Sequence, residues 1–159
     1  MKIGEFNREE FKDEIQLEVI DKFSALINDK TVVTVKSVGQ HEPIAENDGK
    51  SLFEVGNGAA GITITHSSND EIVKQSVYIA VNPQRRETEN GETTIAPEKS
   101  WYSALTAMHE IGGHAYENRF NRSAGSEQRN TNVEGFEDRF RQVFMNHGRP
   151  IKGSATKHK

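Results

Sequence analysis

Two imidazoles and a carboxylate fall within six consecutive residues, His109-Glu110-Ile111-Gly112-Gly113-His114. These are the side-chain types that hold a metal ion and hold or move a proton near neutral pH. With no cysteine among 159 residues, disulfides and thiolate sites are excluded, so His and carboxylate are the only strong metal donors available. The spacing sets a geometric problem. On a regular α-helix, side chains four apart lie roughly 40° apart around the axis and those five apart roughly 140°. Histidines five apart therefore cannot share one tetrahedral ion on an undistorted helix. A π-type turn, with i→i+5 bonding, brings them back into line. Gly112 and Gly113 stand where that distortion is needed; glycine forms helix poorly and tolerates unusual dihedrals. The spacing thus predicts a helix distorted between Ile111 and His114.

On these six residues the chain resembles zincin metallopeptidases, in which two imidazoles of one helix hold zinc. The Glu after the first His is their general base toward a metal-activated water. The expanded form, His-Glu-x-x-Gly-His, is similar to the motif of the dipeptidyl peptidase III family, including the Gly before the second His. The resemblance implies Zn2+ held by His109 and His114, with Glu110 catalytic. It also implies a third ligand on a following helix. Glu134 lies twenty residues past His114, with Asp138 four further on, the gluzincin arrangement of a ligand Glu and an Asp that hydrogen-bonds a ligand His. Four-residue spacing puts both on one helix face, with Phe136, Phe140, Val143 and Phe144 marking the opposite, core-facing side. Glu137 is the competing ligand, closer to the apolar stripe. Thr131 three before Glu134 offers a purely structural use for that Glu, a capping box. His147, Tyr116 and Tyr102 are candidates for stabilising a developing oxyanion; a His late in a helix also simply suits the dipole.

The elements that must position these groups are legible in outline. Pro97 and Glu98 favour a helix start, and Trp101, Leu105, Met108 and Gly112 then recur at helical spacing, with Ala104 and Ala107 as small packing residues. An earlier helix is marked by Asn7 with Glu10 as cap and by Phe11, Ile15, Val19, Phe23 and Leu26. Thr31 to Val38, Gly61 to His66 and Ser76 to Val81 read as strands, the last two separated by the polar turn 67–70. Residues 39–60 read as a loop or irregular hairpin, and Gln84 to Ala96 as a long charged loop after Asn82-Pro83. The fold class is α+β. The order resembles a minimal zincin-like core, a small sheet with a metal-binding helix and a following ligand helix. In zincins the last strand before that helix runs along the cleft and pairs with substrate, which assigns Ser76–Val81 that role. A domain this small also resembles peptidase modules of bacterial effector and toxin proteins. His41 is followed by Glu42 and then Pro43, which bars a zinc helix there; His41, His66 and His158 read as surface residues.

Composition bounds the function. At this length the chain forms one domain, residues 1–159, with Lys152 to Lys159 a disordered tail. A net charge of −4 and pI near 5.9 leave no basic footprint for nucleic acid. No apolar run is long enough to cross a bilayer, and the start lacks a signal-peptide core. That is compatible with the cytoplasm or with delivery inside a larger secreted protein. The reading is a zinc-dependent peptidase acting on peptide or protein substrates. The alternatives are a non-catalytic metal-binding or protein-interaction module and a zinc hydrolase of a non-peptide amide.

Overall fold

Alternation in the β-branched stretch from Val32 builds the sheet. In the computed structural model, which describes residues 14–55, 59–98 and 102–146, three strands pair: β1 (Val32–Gly39), β2 (Gly61–Ser68) and β3 (Glu71–Val81). Their order is β1-β3-β2, with β1 parallel and β2 antiparallel to β3. Val35, Val77 and Thr63 lie across from one another, as do Lys36, Tyr78 and Ile62. The turn from β2 to β3 places Asn69 and Asp70 at φ 49° and 63°, a conformation that Asn and Asp tolerate better than other side chains. β3 is thus the central strand, with both edges paired, so it cannot receive an added strand. That corrects the expectation for Ser76–Val81; the sheet's edges among the described residues are β1 and β2.

Each face of the sheet has its own cover. Val38, Tyr78 and Ala80 lie on one face and are buried with Ile44 and Leu52, against which Ile62 and Ile64 pack. Ile44 and Leu52 come from the segment after β1, which contains two 3-10 turns, Ala45–Asn47 and Leu52–Glu54. Glu46 from the first turn reaches across all three strands. Its carboxylate accepts from Tyr78 Oη at 2.6 Å and Ser76 Oγ at 2.7 Å and pairs with His66 Nε2 at 2.8 Å, with Lys36 Nζ 3.4 Å away. His66, read as a surface residue, is instead half-buried in this cluster. The opposite face carries Gln75 and Val77, both fully buried, toward the helices.

The segment 84–96, expected as a loop, is a hairpin of β4 (Gln84–Glu89) and β5 (Glu92–Pro97). Asn90 and Gly91 turn it at φ 51° and 80°, the Asn-Gly dipeptide that a two-residue primed turn demands. The buried Gln40 side chain holds its base, donating to Gln84 O at 3.3 Å and accepting from Gln84 N at 2.9 Å. Pro97 accordingly ends a strand and does not open a helix.

The helices follow. α1 (Glu14–Asn28) buries Ile15 and Leu26, with Val19 and Phe23 half-buried; Asn7, Glu10 and Phe11 lie outside the described residues. A continuous helical rod then runs through α2 (Tyr102–Ala107), a π-segment (Met108–Ala115) and α3 (Tyr116–Phe120); Trp101 lies outside the description. α4 (Ser126–Asn146) packs across it. α4 begins five residues before Thr131, whose hydroxyl donates to Glu127 O at 3.0 Å, so the capping box with Glu134 is not formed. Three charged contacts pin α1 and Asp29 just after it to the other helices. Arg119 grips Asp29 at 2.6 and 3.0 Å and holds its carboxyl at about 2. Arg139 grips Glu18 at 2.6 and 3.0 Å. Lys22 Nζ lies 4.1 Å from the Tyr116 ring centre, 4.7 Å from that of Phe136 and 4.0 Å from Glu117 Oε1.

Where the rod meets α4 the contact has no room for side chains on the rod. A Cβ on Gly112 would stand 2.6 Å from Phe136 Cε1, and one on Gly113 would stand 2.7 Å from Val133 Cγ1. Phe136 is fully buried and Val133 is 1% exposed, so neither has space to yield. Gly112→Ala should therefore destabilise the protein by about 1–3 kcal/mol through overpacking. Combined with Phe136→Leu, the loss in urea denaturation should be smaller than the sum of the two single losses. Simple additivity would show that this contact does not set the helix separation.

The Glu46 cluster gives a second expectation. Tyr78, Ser76 and His66 hydrogen bonds hold its carboxyl at about 2, below the usual 4.5. A carboxyl depressed by folding adds stability above its unfolded value, and that increment is lost as pH falls toward the folded value. Glu46→Gln should thus be less stable than the wild type above about pH 4.5. The gap between their urea midpoints should narrow as pH is lowered toward 3; a gap that stays constant over this range would remove Glu46 from the account.

Candidate metal centre

The π-segment is the expected distortion, and it is longer than one bulge: eight residues, Met108–Ala115, with φ, ψ values near the α region at both flanking residues. Its wider turn brings His114 beside His109, with ring centres 4.8 Å apart and planes at 74°. Side-chain donor atoms of His109, Glu110 and His114 all lie within 4.8 Å of one another, a group able to hold a metal ion. Neither Gly112 nor Gly113 has a positive φ. Glycine is required here for the approach of Phe136 and Val133, not for an unusual dihedral as the sequence suggested.

The sheet supports the π-segment on its other side. Thr63 Oγ1 on β2 lies 2.6 Å from Glu110 Oε2 and 3.2 Å from Glu110 O, within reach as donor to both. Gln75 Nε2 donates to Ala115 O at 2.8 Å, while Gln75 Oε1 accepts from Thr65 Oγ1, which accepts from Asn118 Nδ2, both at 3.1 Å. Side chains of β2 and β3 thus take up carbonyls at both ends of the wide turn. Gly61 completes the fit, since a Cβ there would meet Thr106 Cγ2 at 2.7 Å and Glu110 Cγ at 2.9 Å. None of Thr63, Gln75 and Gly61 is singled out by sequence, because each acts through a contact with a residue forty or more positions away.

α4 supplies a second buried carboxylate. Glu137 is 3% exposed; its Oε2 lies 3.5 Å from His109 Nδ1 and its Oε1 lies 3.6 Å from Arg141 Nη2. Glu134 and Asp138, expected at the metal, are both exposed. The reason is the rotation of α4. Its apolar side, Val133 and Phe136, faces the π-segment directly, so the carboxylate brought to His109 is the one inside that stripe. Burial raises the Glu110 carboxyl above the ordinary carboxylate range, with Glu137 adding to the shift and His109 and the Thr63 hydrogen bond opposing it.

The remaining sequence candidates sit elsewhere or beyond the description. Tyr116 faces α1, beneath Lys22 and against Phe120, at a cavity of about 520 Å³ lined by Glu14, Leu17, Glu18, Asp21 and Lys22. Tyr102 is buried at the start of α2. His41 is exposed and stacks on Phe53. His147, His158 and the tail 152–159 lie outside the described residues, as do the side chains of Val143 and Phe144. Set against known protein families, characterised proteins and solved structures, the chain matches none.

Proposed function

We propose that the chain is a zinc-dependent peptidase, its metal held by His109, His114 and Glu137 and its general base Glu110. One observation carries this reading: the π-segment gathers two imidazoles and a carboxylate within 4.8 Å beside a second carboxylate buried on α4. The donor set suits zinc, which takes His and carboxylate in a three-ligand site with one open position. Burial adds an argument. Glu110 and Glu137 are 6% and 3% exposed, and two carboxylates withdrawn from water together are costly unless positive charge offsets them. Arg141 offers such charge to Glu137 from 3.6 Å, and a divalent cation at the imidazoles would add it beside Glu110.

Bound zinc would supply acidification of a water and polarisation of a carbonyl. The chain's own residues do the rest. Glu110, buried beside the first ligand, accepts the proton and can return it to a leaving amine. β2 is the sheet edge next to the π-segment among the described residues. A peptide added there as a further strand would run past Glu110.

The test is a set of variants compared by zinc competition against a chelator and by cleavage of a quenched peptide mixture. His109→Ala, His114→Ala and Glu137→Ala should each weaken zinc by more than the about 10- to 100-fold typical of losing an outer partner. Glu134→Ala should leave binding unchanged, and Glu110→Gln should keep zinc and lose cleavage. Full zinc affinity in His114→Ala would end this reading. A second reading has specific support, because Glu110 is itself within the 4.8 Å group: a non-catalytic site with Glu110 as the third donor. Loss of zinc in Glu110→Gln, with Glu137→Ala unaffected, would select it.

A further inference from the structure

β2 does more than flank the candidate centre. Thr63 reaches Glu110 twice with one hydroxyl, 2.6 Å from carboxylate Oε2 and 3.2 Å from the main-chain oxygen of the same residue. A contact spanning both ends of a glutamate restricts the torsions between them, which are otherwise free to swing the carboxylate. Thr63 is itself held. It lies across from Val77, a fully buried residue of the central strand. Gly61, on the same face two residues earlier, leaves the space that Glu110 Cγ occupies, since a Cβ there would come within 2.9 Å. The hydroxyl is neutral, so it fixes the carboxylate without the competing charge that a Lys or Arg would bring beside a cation site.

We propose that Thr63 is the positioning residue for Glu110: it binds one carboxylate oxygen, Oε2, and leaves the other for proton transfer beside His109 and His114. This rests on the metallopeptidase reading above. A base held on a strand of the sheet stays near its working geometry, and displacement by about 1 Å can cost on the order of 100-fold in rate. A carboxylate released from Thr63 would be able to turn onto the metal as an extra ligand, which removes it as a base.

The experiment loads cobalt(II) in place of zinc and records its visible absorption, which reports ligand number and type. It is paired with zinc competition and cleavage of the quenched peptide mixture. Thr63→Val should lower cleavage about 10- to 100-fold and change the cobalt bands, with zinc affinity within about threefold of wild type. Thr63→Ser, which keeps the hydroxyl, should restore both. In a Glu110→Gln background Thr63→Val should leave the cobalt bands unmoved. Wild-type-like bands and cleavage in Thr63→Val overturn the proposal, as does a failure of Thr63→Ser to rescue. A wild-type protein that takes up neither cobalt nor zinc overturns the metal reading and Thr63's role with it. One that takes up metal but cleaves no peptide overturns the peptidase reading alone, and the cobalt comparison still decides Thr63.

Discussion

The candidate centre depends on how closely the helical rod can approach its neighbours on two sides at once. On one side Gly112 and Gly113 receive Phe136 and Val133 of α4; on the other Gly61 of β2 leaves space for Thr106 and Glu110. Any side chain at these three positions would push the layers apart, and the groups they carry would separate with them. Close approach also gives the π-segment its support. A wide turn is less regular than an α-helix, and here its carbonyls at Glu110 and Ala115 meet Thr63 and Gln75 from the sheet. The distortion that aligns the histidines is thus built from both flanks as well as from the rod's own sequence.

Buried charge is arranged along the same rod in two groups. Glu117 is 5% exposed, accepts from Asn121 and Asn132 at 2.8 and 3.0 Å, and has the ammonium of Lys22 4.0 Å away. Lys22 is itself buried, and that burial lowers its pKa against the pull of Glu18 and Glu117. This acid therefore has an ammonium partner from α1. Glu110 meets Thr63 at 2.6 Å, and Glu137 meets His109 at 3.5 Å and the Arg141 guanidinium at 3.6 Å. Each end of the rod thus has a buried carboxylate beside a cation of the chain, Lys22 at Glu117 and Arg141 at Glu137, and the end at Glu110 adds two imidazoles.

Much of this was legible in the sequence because it is local. Two histidines and a glutamate within six residues identify themselves, and for rings five apart to meet, helix geometry calls for the wide turn. Strand alternation at 61–66 and 76–81 is equally local. The α+β class follows from those elements. Other features depend on how elements pack, which is not local. The Phe136 stripe packs on Gly112 and carries Glu137 inward with it, while Glu134 is exposed. Charge in 84–96 masked the hairpin, although Asn90-Gly91 was the signal for it. Thr63 and Gln75 gave no local signal at all, since what matters about them is the residue each meets across the fold.

These contrasts say where precision at such a centre comes from. His109, Glu110 and His114 share one rod, so their relative placement is fixed by the backbone of a single element. Glu137 is placed by how α4 is rotated, and that rotation is set by Phe136 and Val133 seated on two glycines. Thr63 is placed by the sheet, whose other face is tied by Glu46 to all three strands. Groups carried on three separately braced elements converge on His109 and Glu110. A constellation held on helices and strands keeps its geometry better than one built on loops, and here the Glu110 carboxylate of the rod meets the Thr63 hydroxyl of the sheet at 2.6 Å.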